Sequence, residues 1–482
     1  MLFNSFEFVI FFIIVFTIYY KSYNKLKIQN TLLLVSSYVF YGWWDLKFLS
    51  LIIISSISDY IIGRAIDESD NKKYRKKLLI LSLFINLGIL GFFKYYNFFS
   101  QSFTDFISLF GFKTNPFLLN IILPVGISFY TFQTMSYTID IYKNRMKSNK
   151  NLLEFMTFVS FFPQLVAGPI ERASHLLPQF SKKRKFDLYE FKEGAKQSLW
   201  GLFKKIVIAD NCAFYANQIF ENSDTYPGSV LFIGAILFAF QIYGDFSGYS
   251  DIAIGISRIM GIDLMQNFKS PYLAENIQDF WRRWHISLST WFRDYVYIPL
   301  GGNKVDSSFR RSLNIIITFV VSGFWHGANW TFIIWGALHS LFYFIQTIYS
   351  KNLKTTKLLP EGLEKAFNIF ITFVAVAFAW IFFRANSFTH AINYISEILS
   401  STITTNPMSY FKSMGSSIQP VIIIISLIYL SIFEILNRNA TYSFQVTKFK
   451  PLPKILIYCS ILLILIFFRA TNGTIDFIYF QF

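Results

Sequence analysis

His326 stands in Val321-Ser-Gly-Phe-Trp-His-Gly-Ala-Asn-Trp330, inside an apolar region running from Leu313 to Ile345. An ionisable side chain in such surroundings is costly, and its presence is a hypothesis of function by default. Burial disfavours the imidazolium and leaves a neutral ring able to accept a proton, the state a general base needs. Gly323 and Gly327 bracket it, allowing close backbone approach or a local break through which a substrate reaches the ring. The competing reading is a buried histidine bonded to a carbonyl.

His285 lies in Asn276-Ile-Gln-Asp-Phe-Trp-Arg-Arg-Trp-His-Ile-Ser-Leu-Ser-Thr-Trp-Phe-Arg-Asp-Tyr295. At about 100° per residue, Ile277, Phe280, Trp281, Trp284, Leu288, Trp291, Phe292 and Tyr295 form one stripe of a continuous helix, with His285 at its edge. Asp279, Arg282, Arg283, Thr290, Arg293 and Asp294 occupy the other side. A basic, Trp-rich amphipathic helix of this kind belongs in the membrane interface. It is either an anchor or the wall of a cavity in which Arg282, Arg283 and Trp281 hold a phosphate-bearing donor.

Asp245 and Asp251, in Gln241-Ile-Tyr-Gly-Asp-Phe-Ser-Gly-Tyr-Ser-Asp251, each cost about 2.5 to 3.5 kcal/mol at bilayer depth if unpaired, so partners are expected. Arg258 is a candidate partner for Asp251 on the same helix face. The carboxylates read as architecture rather than as catalysts. A metal site is not expected: His326 and His339 are 13 residues apart and fall on opposite faces of a continuous helix, and no HxxxH or CxxC pair occurs. Cys212 and Cys459 are too few for a disulfide framework. Without a Walker loop, a dinucleotide glycine fingerprint or a GxSxG elbow, nucleotide hydrolysis, hydride transfer and serine-hydrolase chemistry lack their usual supports.

The elements that must position these residues are membrane helices. The 482 residues are 54% hydrophobic and only 15% charged, so a soluble fold could not hide the apolar surface. Apolar runs near 6–20, 30–44, 46–63, 78–97, 117–137, 196–220, 228–244, 249–262, 312–329, 330–349, 366–383, 419–436 and 453–469 predict about 11 to 13 crossings in one all-α, polytopic domain spanning 1–482. The net charge of +16 is carried by short Lys/Arg clusters between those runs, the positive-inside pattern rather than a nucleic-acid face. Lys21, Lys25 and Lys27 follow the first run, and Lys72, Lys73, Arg75, Lys76 and Lys77 precede the fourth, which puts both loops in the cytoplasm and the N-terminus outside. No signal-peptide pattern precedes the first run, which is expected to be a retained span. Basic clusters flank Leu152 to Ile170 on both sides, and Pro163, Gly168 and Pro169 interrupt it. It reads as a re-entrant segment whose irregular backbone must be shielded by protein, or else as a bent span.

Several segments together resemble the membrane-bound O-acyltransferase family: Gln278-Asp-Phe-Trp-Arg-Arg-Trp-His-Ile-Ser-Leu-Ser289, Arg293-Asp-Tyr-Val-Tyr-Ile-Pro-Leu-Gly-Gly-Asn303 and Phe324-Trp-His-Gly327. Within it, Leu123-Pro-Val-Gly-Ile-Ser-Phe-Tyr-Thr-Phe-Gln133, Phe162-Pro-Gln-Leu-Val-Ala-Gly-Pro-Ile170 and Asp245-Phe-Ser-Gly-Tyr-Ser-Asp251 resemble the alginate O-acetyltransferase branch. The teichoic acid D-alanyl transfer proteins, which share the WRRWH and WHG-like elements, are shorter. The resemblance implies His326 as the catalytic histidine and His285 as a second functional histidine, lining a funnel through the membrane. It further implies a cytoplasmic acyl thioester such as acetyl-CoA as donor substrate, no resident cofactor, and a periplasmic SGNH-type acetyltransferase or other polysaccharide machinery as partner. A bacterial inner membrane is the implied location, with membrane lipids around the chain.

The chemistry so implied is attack of a hydroxyl on a thioester carbonyl, with His326 removing the proton and Asn329, Trp330 or backbone amides near Gly327 available to the oxyanion. Rival readings are a flippase or transporter of a lipid-linked saccharide, a scaffold for polymer export, and D-alanyl-type transfer to a cell-wall polymer.

Overall fold

The computed structural model describes residues 1–352, 360–415, 418–438, 440, 442, 444–446, 449–469 and 477–478, and among these it is all-α, without a strand. Six helices are long and apolar enough to cross a membrane: Leu46–Glu68, Lys72–Ser108, Gly228–Ile259, Trp330–Ser350, Glu361–Arg384 and Gln419–Leu436. Their burial pattern is the inverse of a soluble helix. On Gln419–Leu436, Ile424, Ile428, Ile432 and Ile435 are all at least half exposed while Ser426 and Glu434 are buried, the latter accepting a hydrogen bond from the Tyr243 hydroxyl. Apolar residues face outward and polar ones pair inside, as hydrocarbon solvent demands.

Two of the expected boundaries move. The runs near 228–244 and 249–262 are one 32-residue helix, Gly228–Ile259. Its middle carries two carboxylates that find cations, as described below. The run near 117–137 is helical only from Ile127, after an irregular stretch through Pro124.

The chain forms two compact units, Met1–Ala195 with Ala253–Met265, and Lys196–Ile252 with Gln266–Phe482. In the first unit, Leu46–Glu68, Lys72–Leu90 and Ile127–Tyr142 pack around a buried polar knot. The Asp59 carboxylate accepts from Ser82 at 2.6 Å and from Asn86 at 2.7 Å, and Asn86 accepts in turn from Ser55 and Thr134. The 152–170 segment breaks into the helices Leu152–Ser160 and Phe162–Leu165, with every residue from 157 to 170 buried. The Leu152–Ser160 helix is only about 14 Å long, short of the ~30 Å hydrocarbon layer, and the irregular backbone after it is covered by protein.

In the second unit, Ser308–His326 and Trp330–Asn352 form an antiparallel pair at close range. Gly323 and Gly336 make that possible: a Cβ on either would meet the backbone carbonyl oxygen of Phe332 or Phe319 at 2.2 or 2.3 Å.

Candidate active site

His326 is the last residue of the Ser308–His326 helix, and the chain turns extended at Gly327. Its ring is buried among aromatic faces, with centroids 4.9 Å from Trp325, 5.2 Å from Trp335 and 5.3 Å from Phe383. The His285 ring lies 6.4 Å away, so the two histidines singled out in the sequence meet although 41 residues separate them.

His285 reaches that position by a route the helical-stripe argument does not foresee. The continuous helix expected over 277–295 is two short helices, Ile277–Arg283 and Ile286–Phe292, and His285 between them has φ +43°, a left-handed conformation costly for a side chain with a Cβ. The preceding loop imposes the break. Ile286 N–H donates to the Asn267 carbonyl at 2.8 Å and Lys269 N–H to the Arg283 carbonyl at 2.9 Å, drawing the backbone out of its helical path. The Asn267 side chain completes the clamp: its Oδ1 accepts from His285 Nδ1 at 2.9 Å and from the Ser287 hydroxyl at 2.9 Å, while its Nδ2 donates to Ser250 at 3.1 Å. This network places the His285 proton on Nδ1 and leaves Nε2 as the acceptor nitrogen. Phe246 packs edge-on against the ring at 4.6 Å.

The donor-side trio divides. Trp281 turns inward, 4.9 Å from His339 and 5.7 Å from Trp335; Arg282 is exposed; Arg283 is held by Asp279 at 2.9 Å and by the Lys269 carbonyl. His326 and His339 are on two different helices rather than on opposite faces of one, and the Trp335 ring lies between them, 4.8 Å from His339. Among the described residues no group of three or more His, Cys, Asp or Glu could hold a metal ion. Asn329 is engaged structurally: its Oδ1 caps the Trp330–Asn352 helix through Thr331 N–H, and its Nδ2 donates to the Asn386 carbonyl at 3.0 Å. Trp330 is exposed.

The intramembrane carboxylates find partners that sequence reasoning missed. A π-helical turn, Phe203–Ala209, turns two successive lysines inward. Lys204 pairs with Asp251, to which Gln197 also donates, and Lys205 bridges Asp210 at 2.9 Å and Asp245 at 2.8 Å. Arg258, expected to pair with Asp251, instead bonds Glu190 at 2.8 Å. No local signal marks Lys204 and Lys205 as partners of Asp251 and Asp245, because they sit in an apolar run 40 or more residues from those two carboxylates.

Two buried histidines thus stand side by side, one of them bonded through Nδ1 to Asn267. The profile of the membrane-bound O-acyltransferase family matches residues 143–389, which hold both histidines. The chain is 42% identical over 390 residues to the protein named "Probable alginate O-acetylase AlgI" of Pseudomonas aeruginosa, covering 80% of this chain and 72% of that one. It is 38% identical to a peptidoglycan O-acetyltransferase of Helicobacter pylori, over 76% and 73% of the two chains, and 31% identical to a teichoic acid D-alanyltransferase of Streptococcus thermophilus, over 54% and 68%. The chain belongs to the membrane-bound O-acyltransferase family. It is accordingly an acyltransferase and a multi-pass membrane protein that uses an acyl donor.

Proposed function

We propose that this protein is an O-acetyltransferase that moves an acetyl group from a cytoplasmic thioester, acetyl-CoA in the simplest case, to a hydroxyl on the extracytoplasmic side, with His326 as general base. The observation that carries the reading is the 6.4 Å approach of two buried imidazoles, one of them locked by Asn267. His326 takes the proton as the hydroxyl oxygen attacks the thioester carbon; the C–S bond breaks as the tetrahedral centre collapses, and the departing thiolate receives the proton. The Trp330–Asn352 helix begins four residues after His326, so its N-terminal amides, rather than the engaged Asn329 side chain, suit the developing oxyanion. His285, with Nε2 as acceptor, orients the hydroxyl or shares its proton.

At 3% exposure the His326 ring admits substrates only when the Gly327–Asn329 connection or a covering ring shifts. Arg282, exposed beside the inward Trp281, is the residue of the donor-side trio placed to meet a phosphate, and Arg283 supports it through Asp279. Basic residues cluster at one end of the second unit's helices: Lys304 before Ser308–His326 and Arg310 and Arg311 in its first turn, Arg438 after Gln419–Leu436 and Lys450 before Pro451–Phe467. The opposite ends, at 221–228, 327–330 and 385–415, carry few, and we assign that end to the outside and the basic end to the cytoplasm. The names of the relatives favour a polysaccharide or peptidoglycan acceptor, reached directly or through an extracytoplasmic acetyltransferase of the SGNH type. The inner membrane of a bacterium is the setting, with the N-terminus outside.

The purified protein in nanodiscs, supplied with labelled acetyl-CoA, tests the reading by release of free CoA. Wild type releases CoA, and His326→Ala lowers the rate by about 10² to 10⁴. Equal release by both proteins would overturn the assignment, and transport of a lipid-linked saccharide without thioester cleavage would support a flippase.

A further inference from the structure

Away from the histidines, the second unit carries an open groove of about 440 Å³, a size within the ~300–1,000 Å³ range of ligand clefts. Asp224, Tyr226, Asn393, Glu397, Thr402 and Tyr410 line it. Two half-buried tyrosines, 6.1 Å apart and near perpendicular, supply aromatic faces, and carboxylates, an amide and hydroxyls supply the rest. Among the described lining residues Pro227 is the single aliphatic side chain, too little to form a pocket for a peptide's apolar residue. Neither Asp224 nor Glu397 is in an ion pair among the described residues; the Glu397 carboxylate accepts only from neighbouring hydroxyls, Thr402 at 2.6 Å and Ser400 at 3.4 Å.

The groove is tied to the catalytic loop by a hydrogen-bonded strip. Asn329, three residues after His326, donates to the Asn386 carbonyl; Asn386 N–H donates to His390 Nδ1 at 3.3 Å; His390 Nε2 bonds the hydroxyl of Ser223, itself part of the groove wall, at 3.1 Å. The groove therefore lies at the end of the unit where the His326 helix terminates, the end assigned above to the outside.

We propose that this groove binds an uncharged glycan chain, and so presents the acceptor polymer at the outer end of the site. Aromatic faces cover the apolar C–H faces of pyranose rings, while carboxylates, which only accept hydrogen bonds, suit a ligand rich in hydroxyl donors. The same two carboxylates repel a polyuronate, so the groove selects a neutral or N-acetylated glycan even though relatives are named for alginate. That this glycan is the acetyl acceptor rests on the acetyltransferase reading; that the groove binds it does not.

The full chain in nanodiscs is titrated with three hexasaccharides, a neutral glucan, an N-acetylhexosamine oligomer and a uronate, at low and physiological salt. At least one uncharged oligomer is expected to bind, with Tyr410→Ala and the Asp224→Asn/Glu397→Gln pair each weakening it about tenfold, and the uronate at least tenfold weaker at low salt. His326→Ala binds as wild type does, and Tyr410→Ala keeps the wild-type unfolding temperature in detergent, which shows the variant folded. Absence of uncharged-glycan binding, uronate binding as tight as the neutral oligomer, or binding indifferent to Tyr410→Ala each overturns the proposal. The His326→Ala rate defect stands or falls separately.

Discussion

His175, in the first unit, and His326, in the second, hold the same side chain in opposite electrical settings. His175 bonds Glu171 through Nδ1 at 2.8 Å and lies 3.4 Å from Asp263 through Nε2. These bonds, Asp263 first and Glu171 next, push its pKa up to about 10, so at neutral pH it is a fixed cation. Around His326 stand Trp325, Trp335 and Phe383, which offer a cation no counter-charge. A ring that already holds its proton stabilises structure, whereas a ring set among aromatic faces, on the base reading proposed above, gains one briefly and passes it to a leaving group. Neighbours, not residue type, separate the paired histidine from the one proposed as the base.

The strongest way to break that contrast is to remove each ring. His326→Phe is expected to lower acetyl transfer by about 10² to 10⁴, while His175→Gln leaves it within about threefold; comparable losses would erase the distinction. Next comes the charge network that holds the second unit's helices. Lys205→Met leaves Asp210 and Asp245 without their shared cation and is expected to destabilise by about 3 to 5 kcal/mol, read as a lowered unfolding temperature in detergent. An unchanged temperature would mean that these carboxylates are neutral.

Asn267→Ala strips the clamp from His285, Ser250 and Ser287, a loss of about 1 to 3 kcal/mol from groups left unpaired, and should cut kcat about tenfold with KM little changed. An unaltered kcat would make Asn267 purely structural.

The smallest effect concerns pH. Because the folded His175 pKa is raised above its unfolded value, its stabilising contribution is complete below about pH 6.5 and is lost as pH rises through about 10. His175→Gln should flatten the fall in unfolding temperature over that window. The same slope in both proteins would show that the carboxylates do not hold the proton.

Much of this was readable in advance where signals are local. Pro163, Gly168 and Pro169 with flanking basic clusters mark the broken, buried segment, and the Trp-His-Gly and Trp-Arg-Arg-Trp-His runs mark the two site histidines. Long-range partners were not readable. Nothing in Trp284-His285-Ile286 announces a left-handed break, because the bonds that force it come from Asn267 and Lys269, and no apolar run shows that a π-helical turn aims Lys204 and Lys205 at carboxylates some 40 residues away. Periodicity likewise did not show that two apolar runs are one helix, Gly228–Ile259, because the polar interruption at Asp245 and Asp251 is met by those distant lysines.

The most direct measurement is the pH dependence of kcat/KM for acetyl transfer from acetyl-CoA in nanodiscs, wild type beside His326→Ala. The wild-type rate is expected to rise through a single ionisation to a plateau as the base loses its proton, and the small residual rate of His326→Ala should lack that limb. A variant that keeps both the wild-type rate and the same limb would contradict a base at His326.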